Sequence, residues 1–171
     1  MDIDETGRLL KQFSLLPIKT AWTSPDTKEF TFNWKPYQSK RMADTKAFEN
    51  AWGCACVCGR ISGGLWVIDF DDIRFEDCKS LLELEFGTEF IDSLCIVRTG
   101  GGGTHLYFQC AQDVPGNEKL AMTYDAFDKL VTGIETRGEG GLIFCPWTPG
   151  YSFIQGDWKR IPVILRSKID D

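Results

Sequence analysis

One stretch of the sequence joins an apolar strand pattern to a run of acids. Residues 62–72 read Ser-Gly-Gly-Leu-Trp-Val-Ile-Asp-Phe-Asp-Asp. Alternation with a period of two predicts a strand whose aromatic and aliphatic side chains share one face, with Asp69 and Asp71 together on the other. Two such carboxylates repel each other, and a divalent cation between them removes the repulsion. We favour metal ligation for this pair over a solvated turn, and helix capping for Asp72.

Length and composition suit a single domain. The 171 residues are 43% hydrophobic, enough to bury a core. No apolar run approaches the roughly 18 residues of a membrane span, and the first five residues are acidic where a secretory signal would be basic. We therefore expect a cytoplasmic protein without membrane contact. Seven cysteines are an odd number, so we expect reduced thiols rather than a full set of disulfides.

The charge is unevenly distributed. A net charge of −6 argues against nucleic-acid binding by the chain as a whole. Residues 1–60, however, carry nine Lys and Arg against seven acids, whereas residues 61–171 carry ten against 18. Within residues 17–41, Trp22 and Trp34 are interspersed with bases. This pattern is equally consistent with two interpretations. The segment could bind nucleic acid, with nucleobases stacked on the aromatic rings, or it could be a surface loop held against the protein by its tryptophans.

Hydrophobic periodicity predicts the remaining elements. Leu9, Leu10, Phe13 and Leu16 have helical spacing, which predicts a helix over residues 4–16 that ends before Pro17. Other predicted elements are helices over 44–51 and 73–86, the second stopped by Gly87, strands over 94–98, 104–108, 133–137 and 142–145, and a last hairpin of 151–154 with 161–165. For residues 117–131, helical and irregular structure both remain open.

Three cysteines alternate along the chain at Cys54, Cys56 and Cys58. Zinc ligation is one interpretation, but zinc sites on turns use cysteine pairs with two to four residues between them, and no second close pair or histidine lies nearby. The spacing instead predicts a buried strand whose thiols act as small apolar side chains.

A glycine run at residues 100–103 leads into the strand that holds His105, the one histidine in the sequence. Alternation places His105 and Tyr107 on the polar face of that strand. Successive glycines allow close approach of the backbone to a ligand and let amide groups point at a phosphate. The run is neither a Walker loop nor a dinucleotide fingerprint, because no Gly-Lys-Ser/Thr and no helix follows it. Structural and nucleotide-binding roles for His105 both remain open.

A third strand, over residues 133–137, repeats the pattern with Glu135 and Arg137 on its polar face. If the three strands share a sheet, these side chains join the two aspartates and His105. Three carboxylates with cationic groups beside them are the functional groups that two-metal phosphoryl transfer requires. The alternative for Glu135 and Arg137 is a surface ion pair.

Three segments together resemble a known family. They are Ser-Gly-Gly-Leu-Trp-Val-Ile-Asp-Phe-Asp, then Thr-Gly-Gly-Gly-Gly-Thr-His-Leu-Tyr-Phe, then Gly-Ile-Glu-Thr-Arg-Gly-Glu-Gly-Gly-Leu-Ile-Phe-Cys-Pro. In order and spacing they resemble the motifs of the bifunctional DNA primase/polymerase (prim-pol) domain of the archaeo-eukaryotic primase superfamily. Leu-Pro-Ile-Lys at residues 16–19 resembles the opening of that family.

The resemblance implies roles for individual residues. Asp69, Asp71 and Glu135 match the metal-binding acids, which implies a two-metal site for Mg²⁺ or Mn²⁺. His105 matches the nucleotide-binding histidine and Arg137 a common arginine. We also expect nucleotide contacts from the glycine turn, at Gly102, Gly103 and Thr104. Two departures are a glycine where the family commonly has a serine before the histidine, and Glu135 where the third acid is often Asp.

The implied fold is α/β (α+β), with an RRM-like mixed, mainly antiparallel sheet that carries the site on its open face and an N-terminal αβ unit beside it. We expect one catalytic domain over residues 1–171, with 1–60 as its basic and aromatic part and 61–171 as the metal-site sheet.

The implied function is primer synthesis or extension from (d)NTPs on single-stranded DNA in plasmid- or phage-type replication, with a fused or separate helicase as a possible partner. Alternatives are a catalytically idle nucleic-acid-binding domain and a metal-dependent nuclease. A rolling-circle nicking enzyme is excluded in the form that needs a pair of histidines.

Overall fold

The computed structural model describes residues 3–18 and 33–168 of the chain. In chain order its helices and strands are α1 (Ile3–Leu10), β1 (Ser14–Ile18), β2 (Gly53–Val57), β3 (Leu65–Phe70), α2 (Phe75–Phe86), α3 (Thr88–Ser93), β4 (Cys95–Arg98), β5 (Thr104–Cys110), β6 (Lys119–Tyr124), β7 (Leu130–Arg137), β8 (Leu142–Phe144), β9 (Ser152–Gln155) and β10 (Val163–Ile164). No helix in the described ranges combines the length and apolar character that a membrane span requires.

Two sheets organise these elements. A three-stranded antiparallel sheet has the order β1-β2-β8, and a seven-stranded sheet has the order β6-β7-β3-β5-β4-β9. Neighbours in the larger sheet are antiparallel, and β10 adds a short parallel pairing to the end of β5. The prediction of a mixed α and β fold with mainly antiparallel strands is therefore confirmed.

One face of the larger sheet is covered by helices. Trp66, Phe70 and Leu106 pack there with Phe75 of α2 and Ile91 of α3. The alternation predicted for residues 62–72 accounts for this face, because its aromatic side chains all lie on the helix side. The carboxylates are thereby directed to the opposite face.

The opposite face packs partly against the three-stranded sheet. Val67 and Tyr107 share a core with Leu15, Cys56 and Ile143 of β1, β2 and β8. The face that the sequence predicts to be open is therefore covered over part of its area. Its polar residues lie beside this second core, and not on a bare sheet.

The N-terminal helix is shorter than predicted. It ends at Leu10, and Ser14–Ile18 forms β1, all five residues of which are buried. Leu15 and Leu16 pack into different cores, which a helix with one apolar stripe does not permit. Pro17 is tolerated because β1 is an edge strand, where a missing N–H leaves no sheet partner unsatisfied.

Two other regions differ from the sequence predictions. Residues 117–131, which the sequence leaves undecided, contain β6 and the turn into β7, which form a hairpin. The predicted hairpin near the C-terminus is wrong, because β9 pairs with β4 and β10 pairs with β5. These strands find non-local partners, which local alternation does not reveal.

Smaller predictions have mixed outcomes. The helix predicted over 73–86 is confirmed as α2, but its N-cap is Arg74, so capping by Asp72 is wrong. The helix predicted over 44–51 is a single 3₁₀ turn, Thr45–Phe48. The buried cysteine strand is confirmed, since Cys54, Cys56 and Cys58 are all buried in or directly after β2.

The aromatic and basic stretch of residues 17–41 lies largely outside the described residues, including Trp22. Trp34 is described, and it is partly buried against the core that includes Leu16. This contact agrees with a tryptophan that pins the segment to the body.

Candidate active site

Three neighbouring strands bring polar side chains into one row. In the register of β7, β3 and β5, Glu135 lies opposite Asp69, and Asp69 lies opposite His105. Directly opposed residues of antiparallel strands project to the same face of the sheet. The prediction that these three strands share a sheet is confirmed, and their polar faces coincide.

Asp69, Asp71 and Glu135 form a carboxylate cluster. Each offers one oxygen, and these oxygens all lie within 4.8 Å of one another. Asp71 follows the end of β3, where its backbone N–H donates to the carbonyl of Gly133 at 3.0 Å. This bond continues the pairing with β7 and keeps Asp71 beside the other two acids. Asp69 is buried, Glu135 is half-buried and Asp71 is exposed, so the cluster opens toward solvent on one side.

His105 lies against the buried end of the cluster. Its Nε2 is 3.1 Å from Oδ1 of Asp69, and its Nδ1 is 2.7 Å from the hydroxyl of Tyr107. The Tyr107 hydroxyl also donates a long bond, 3.5 Å, to the carbonyl of Phe144 on β8. Burial raises the pKa of Tyr107 well above its usual value, so this phenol stays neutral and holds the imidazole ring in place.

Asp69 is held in its charged form. Burial by itself raises the pKa of this carboxyl, but contacts with His105 and Arg137 outweigh burial and lower the pKa below its ordinary value. The residue is 5% exposed, and Oδ1 has no aligned hydrogen bond despite its short distance to His105. Because no aligned hydrogen bond occupies Oδ1, this ionised oxygen retains lone pairs for a cation beside its ion pair with His105.

Arg137 lies between two of the acids. Its Nε is 3.4 Å from Oδ2 of Asp69, and its terminal nitrogen pairs with Glu135. The guanidinium is 29% exposed, which leaves it partly open to solvent. Arg137 therefore neutralises part of the charge of the cluster.

The glycine turn lies against the end of β3. Gly102 has a positive φ of 90°, and the turn is closed by the N–H of Thr99, which donates to the carbonyl of Gly103 at 2.9 Å. A Cβ on Gly103 would fall against the carbonyl oxygen of Phe70 and 3.3 Å from Oδ1 of Asp71. The turn therefore approaches the cluster more closely than a side chain would permit.

Thr104 is not brought into the site by its side chain. It precedes His105 in β5, so its side chain projects to the other face, where its hydroxyl is buried without a hydrogen-bond partner. The nucleotide contact predicted for Thr104 stays a prediction, and in this position only the backbone of Thr104 could make it.

Two residues near the site were not singled out from the sequence. Tyr151 approaches His105, with ring centroids 6.1 Å apart. Lys119 lies opposite Glu135 across β6 and β7. No sequence signal marks Tyr151, because β9 reaches the site through its pairing with β4. Lys119 falls in a strand whose register shifts disturb its alternation.

A comparison with models of protein families places the chain in one of them. The model of the Prim-Pol family, described as bifunctional DNA primase/polymerase, N-terminal, matches residues 9–162. The chain belongs to the Prim-Pol family. The matched region contains every residue of the carboxylate cluster, the glycine turn and His105. The family points to DNA primase/polymerase activity of the nucleotidyltransferase type, with DNA and nucleotides as ligands. No curated protein matches the chain.

The carboxylate cluster suits a divalent cation. All of its donors are carboxylate oxygens, the ligands that hard cations such as Mg²⁺ and Mn²⁺ prefer. The buried Oδ1 of Asp69 supplies the orphaned atom that such a cation would satisfy. Among the described residues, this is the group in which three potential metal ligands converge.

Proposed function

We propose that this Prim-Pol domain catalyses template-directed, divalent-metal-dependent nucleotidyl transfer from (d)NTPs to a primer or initiating nucleotide. Asp69, Asp71 and Glu135 are the metal-binding residues. The observation that carries the proposal is the convergence of three carboxylate oxygens within 4.8 Å, one of them on the buried Asp69. Mg²⁺ or Mn²⁺ bound there would activate the attacking hydroxyl and stabilise the charge of the triphosphate.

His105 and Arg137 supply positive charge or hydrogen-bond donors to the triphosphate. Tyr107 holds Nδ1 of His105, so the orientation of the imidazole is fixed before a nucleotide arrives. Arg137 pairs with both Asp69 and Glu135. The guanidinium competes electrostatically with a cation for these carboxylates, and a triphosphate offers it a bidentate partner.

The glycine turn contributes backbone amides. Gly102 and Gly103 lie beside Asp71, where a side chain on Gly103 would collide with β3. Amides at such a turn suit phosphate oxygens without any side-chain donor. This accounts for a phosphate site that lacks the serine common in the family.

The wider context of the proposal rests on the sequence resemblance alone. We propose that residues 1–171 act as one catalytic domain on single-stranded DNA template and primer. Its setting would be cytoplasmic replication of a plasmid or phage, with a fused or separate helicase.

The test is primer extension on a single-stranded template with labelled dNTPs and either Mg²⁺ or Mn²⁺. We expect extended products and released pyrophosphate that both require the metal. Asp71→Asn should lower the rate at least about 100-fold, because a neutral amide replaces an anionic ligand. Asp72→Asn is the matched control, since Asp72 is an exposed neighbouring acid outside the cluster.

Three outcomes contradict the proposal. Template or primer degradation without a triphosphate requirement indicates a nuclease. DNA binding without any incorporation indicates an idle binding domain. Equal extension rates for Asp71→Asn and Asp72→Asn would show that the carboxylate cluster has no role in the reaction.

A further inference from the structure

Tyr151 stands at the edge of the site without a role in its hydrogen bonding. The residue follows a turn in which its N–H donates to the carbonyl of Thr148 at 3.1 Å, and Gly150 adopts a positive φ of 87°. This turn leads into β9, which pairs with β4 and so carries Tyr151 to the sheet face that bears His105. The ring position is thus set by the sheet itself.

The Tyr151 ring bridges the two nucleotide-binding parts of the site. It meets the ring of His105 at a centroid distance of 6.1 Å and an angle of 61°. The position of a Cβ on Gly100 would lie 3.3 Å from Cε2 of Tyr151. The ring therefore approaches both the imidazole and the first residue of the glycine turn.

The hydroxyl of Tyr151 is a donor without an acceptor. It has no hydrogen-bond partner among the described residues, whereas the hydroxyl of Tyr107 is engaged by His105. Burial, followed by the nearby charges of Asp69 and Asp71, raises the pKa of Tyr151, so its phenol keeps its proton. A neutral O–H on a ring that lies against His105 and the glycine turn can serve an oxygen of a ligand held on this face of the sheet.

We infer that Tyr151 is a nucleotide-binding residue that donates its phenol O–H to a sugar or phosphate oxygen of the incoming nucleoside triphosphate. The inference rests on the proposed function, because it places the nucleotide between the carboxylates and the glycine turn. The contact lies on the side of the metal-binding acids and His105, where the ribose and the phosphates would be held. It is therefore independent of the identity of the base.

The test is calorimetric titration of the protein with ATP and with dATP in the presence of Mg²⁺. The variant is Tyr151→Phe, which keeps the ring beside His105 and Gly100 and removes only the hydroxyl. We expect Kd to rise about twofold to tenfold, the effect of one neutral hydrogen bond. Tyr124→Phe is the matched control, because Tyr124 is 67% exposed on the hairpin. Its Kd values should equal those of the unsubstituted protein.

The two ligands separate the possible acceptors. Weaker binding of both ATP and dATP assigns the acceptor to the phosphates or the shared part of the sugar, and weaker binding of ATP alone assigns it to the 2′-hydroxyl. Equal Kd values for Tyr151→Phe and the unsubstituted protein overturn the inference and leave the proposed function intact. Absence of nucleotide binding by the unsubstituted protein overturns both.

Discussion

Strands β2 and β3 both alternate potential metal ligands with apolar residues, but the ligands of β2 are buried thiols and those of β3 are carboxylates at the edge of the core. Each alternates residues that can ligate a metal, with Cys54, Cys56 and Cys58 on one and Asp69 and Asp71 on the other. The thiols of β2 are fully buried in a core that joins the two sheets. The acids in and directly after β3 lie at the boundary between that core and solvent, with Asp69 buried and Asp71 exposed.

The two regions also differ in ionisation. Burial, then the neighbouring Cys56, raises the pKa of Cys58, and burial also raises the pKa of Cys145. These thiols stay protonated, and a protonated thiol is a poor metal ligand. The pKa of Asp69 is lowered instead, because His105 and Arg137 overcome the effect of its burial.

The comparison teaches that alternation alone does not define a metal site. The acids form a candidate site because β7 adds Glu135 from a neighbouring strand, and because His105 of β5 and Arg137 of β7 lower the pKa of Asp69. The three thiols lie along β2 and its end, and they belong to no cluster of three potential metal ligands among the described residues. Converging anionic ligands therefore distinguish the candidate active site from the core.

The largest expected effect comes from placing an acid in β2. Cys56→Asp puts a carboxylate at a fully buried position without a cationic partner, which should destabilise the fold by more than about 3 kcal/mol or prevent folding. Cys56→Ala, the matched control, should cost on the order of 1 kcal/mol by removing one small buried group. Urea unfolding measures both. An aspartate variant as stable as the alanine variant would contradict the contrast between the strands.

A smaller effect is expected from the glycine turn. Gly103→Ala places a methyl group against the carbonyl of Phe70 and near Asp71, and should cost roughly 1 to 3 kcal/mol while slowing primer extension. Gly101→Ala is the control, because no atom lies within 4 Å of the added Cβ and its φ is not positive. The free energy of unfolding and the extension rate are measured together. Equal behaviour of the two variants would show that close approach of the turn to β3 is unimportant.

The smallest effect concerns the counter-charge. Arg137→Met removes the cation that pairs with Asp69 and Glu135, so Mn²⁺ should bind about threefold to tenfold more tightly in the absence of nucleotide. The same variant should bind ATP more weakly, because the triphosphate loses a partner. Arg60→Met is the control, since Arg60 pairs with Asp113 on an exposed surface. Weaker Mn²⁺ binding by Arg137→Met would mean that the guanidinium does not compete with the metal.

The arrangement of the candidate site was predictable from sequence because its strands keep a strict period of two. Asp69, His105 and Glu135 each follow or precede apolar residues that fix the buried face, so the polar face is fixed as well. Each strand also carries one or two polar groups of distinct chemistry. What the sequence leaves open is their register, and the structure places all three residues in one row.

The parts that could not be predicted depend on non-local contacts. Leu16 has helical spacing with Leu9 and Phe13, but it belongs to β1, which is buried on both faces. Register shifts around Ala121 break the alternation of β6. Tyr151 reaches the site only through the pairing of β9 with β4. In each case the partner, and not the local pattern, decides the structure.

The most direct test of the account is the binding of Mn²⁺ to the folded protein without nucleotide. Binding is measured from the decrease in the electron paramagnetic resonance signal of the free ion. Four proteins are compared: the unsubstituted chain, Asp69→Asn, Asp72→Asn and Cys56→Ala. The account predicts that Asp69→Asn alone binds Mn²⁺ more weakly, by at least about tenfold, because it alone loses a ligand of the cluster. Undiminished binding by Asp69→Asn, or a loss confined to Cys56→Ala, would contradict the assignment of the metal to the carboxylates of β3 and β7.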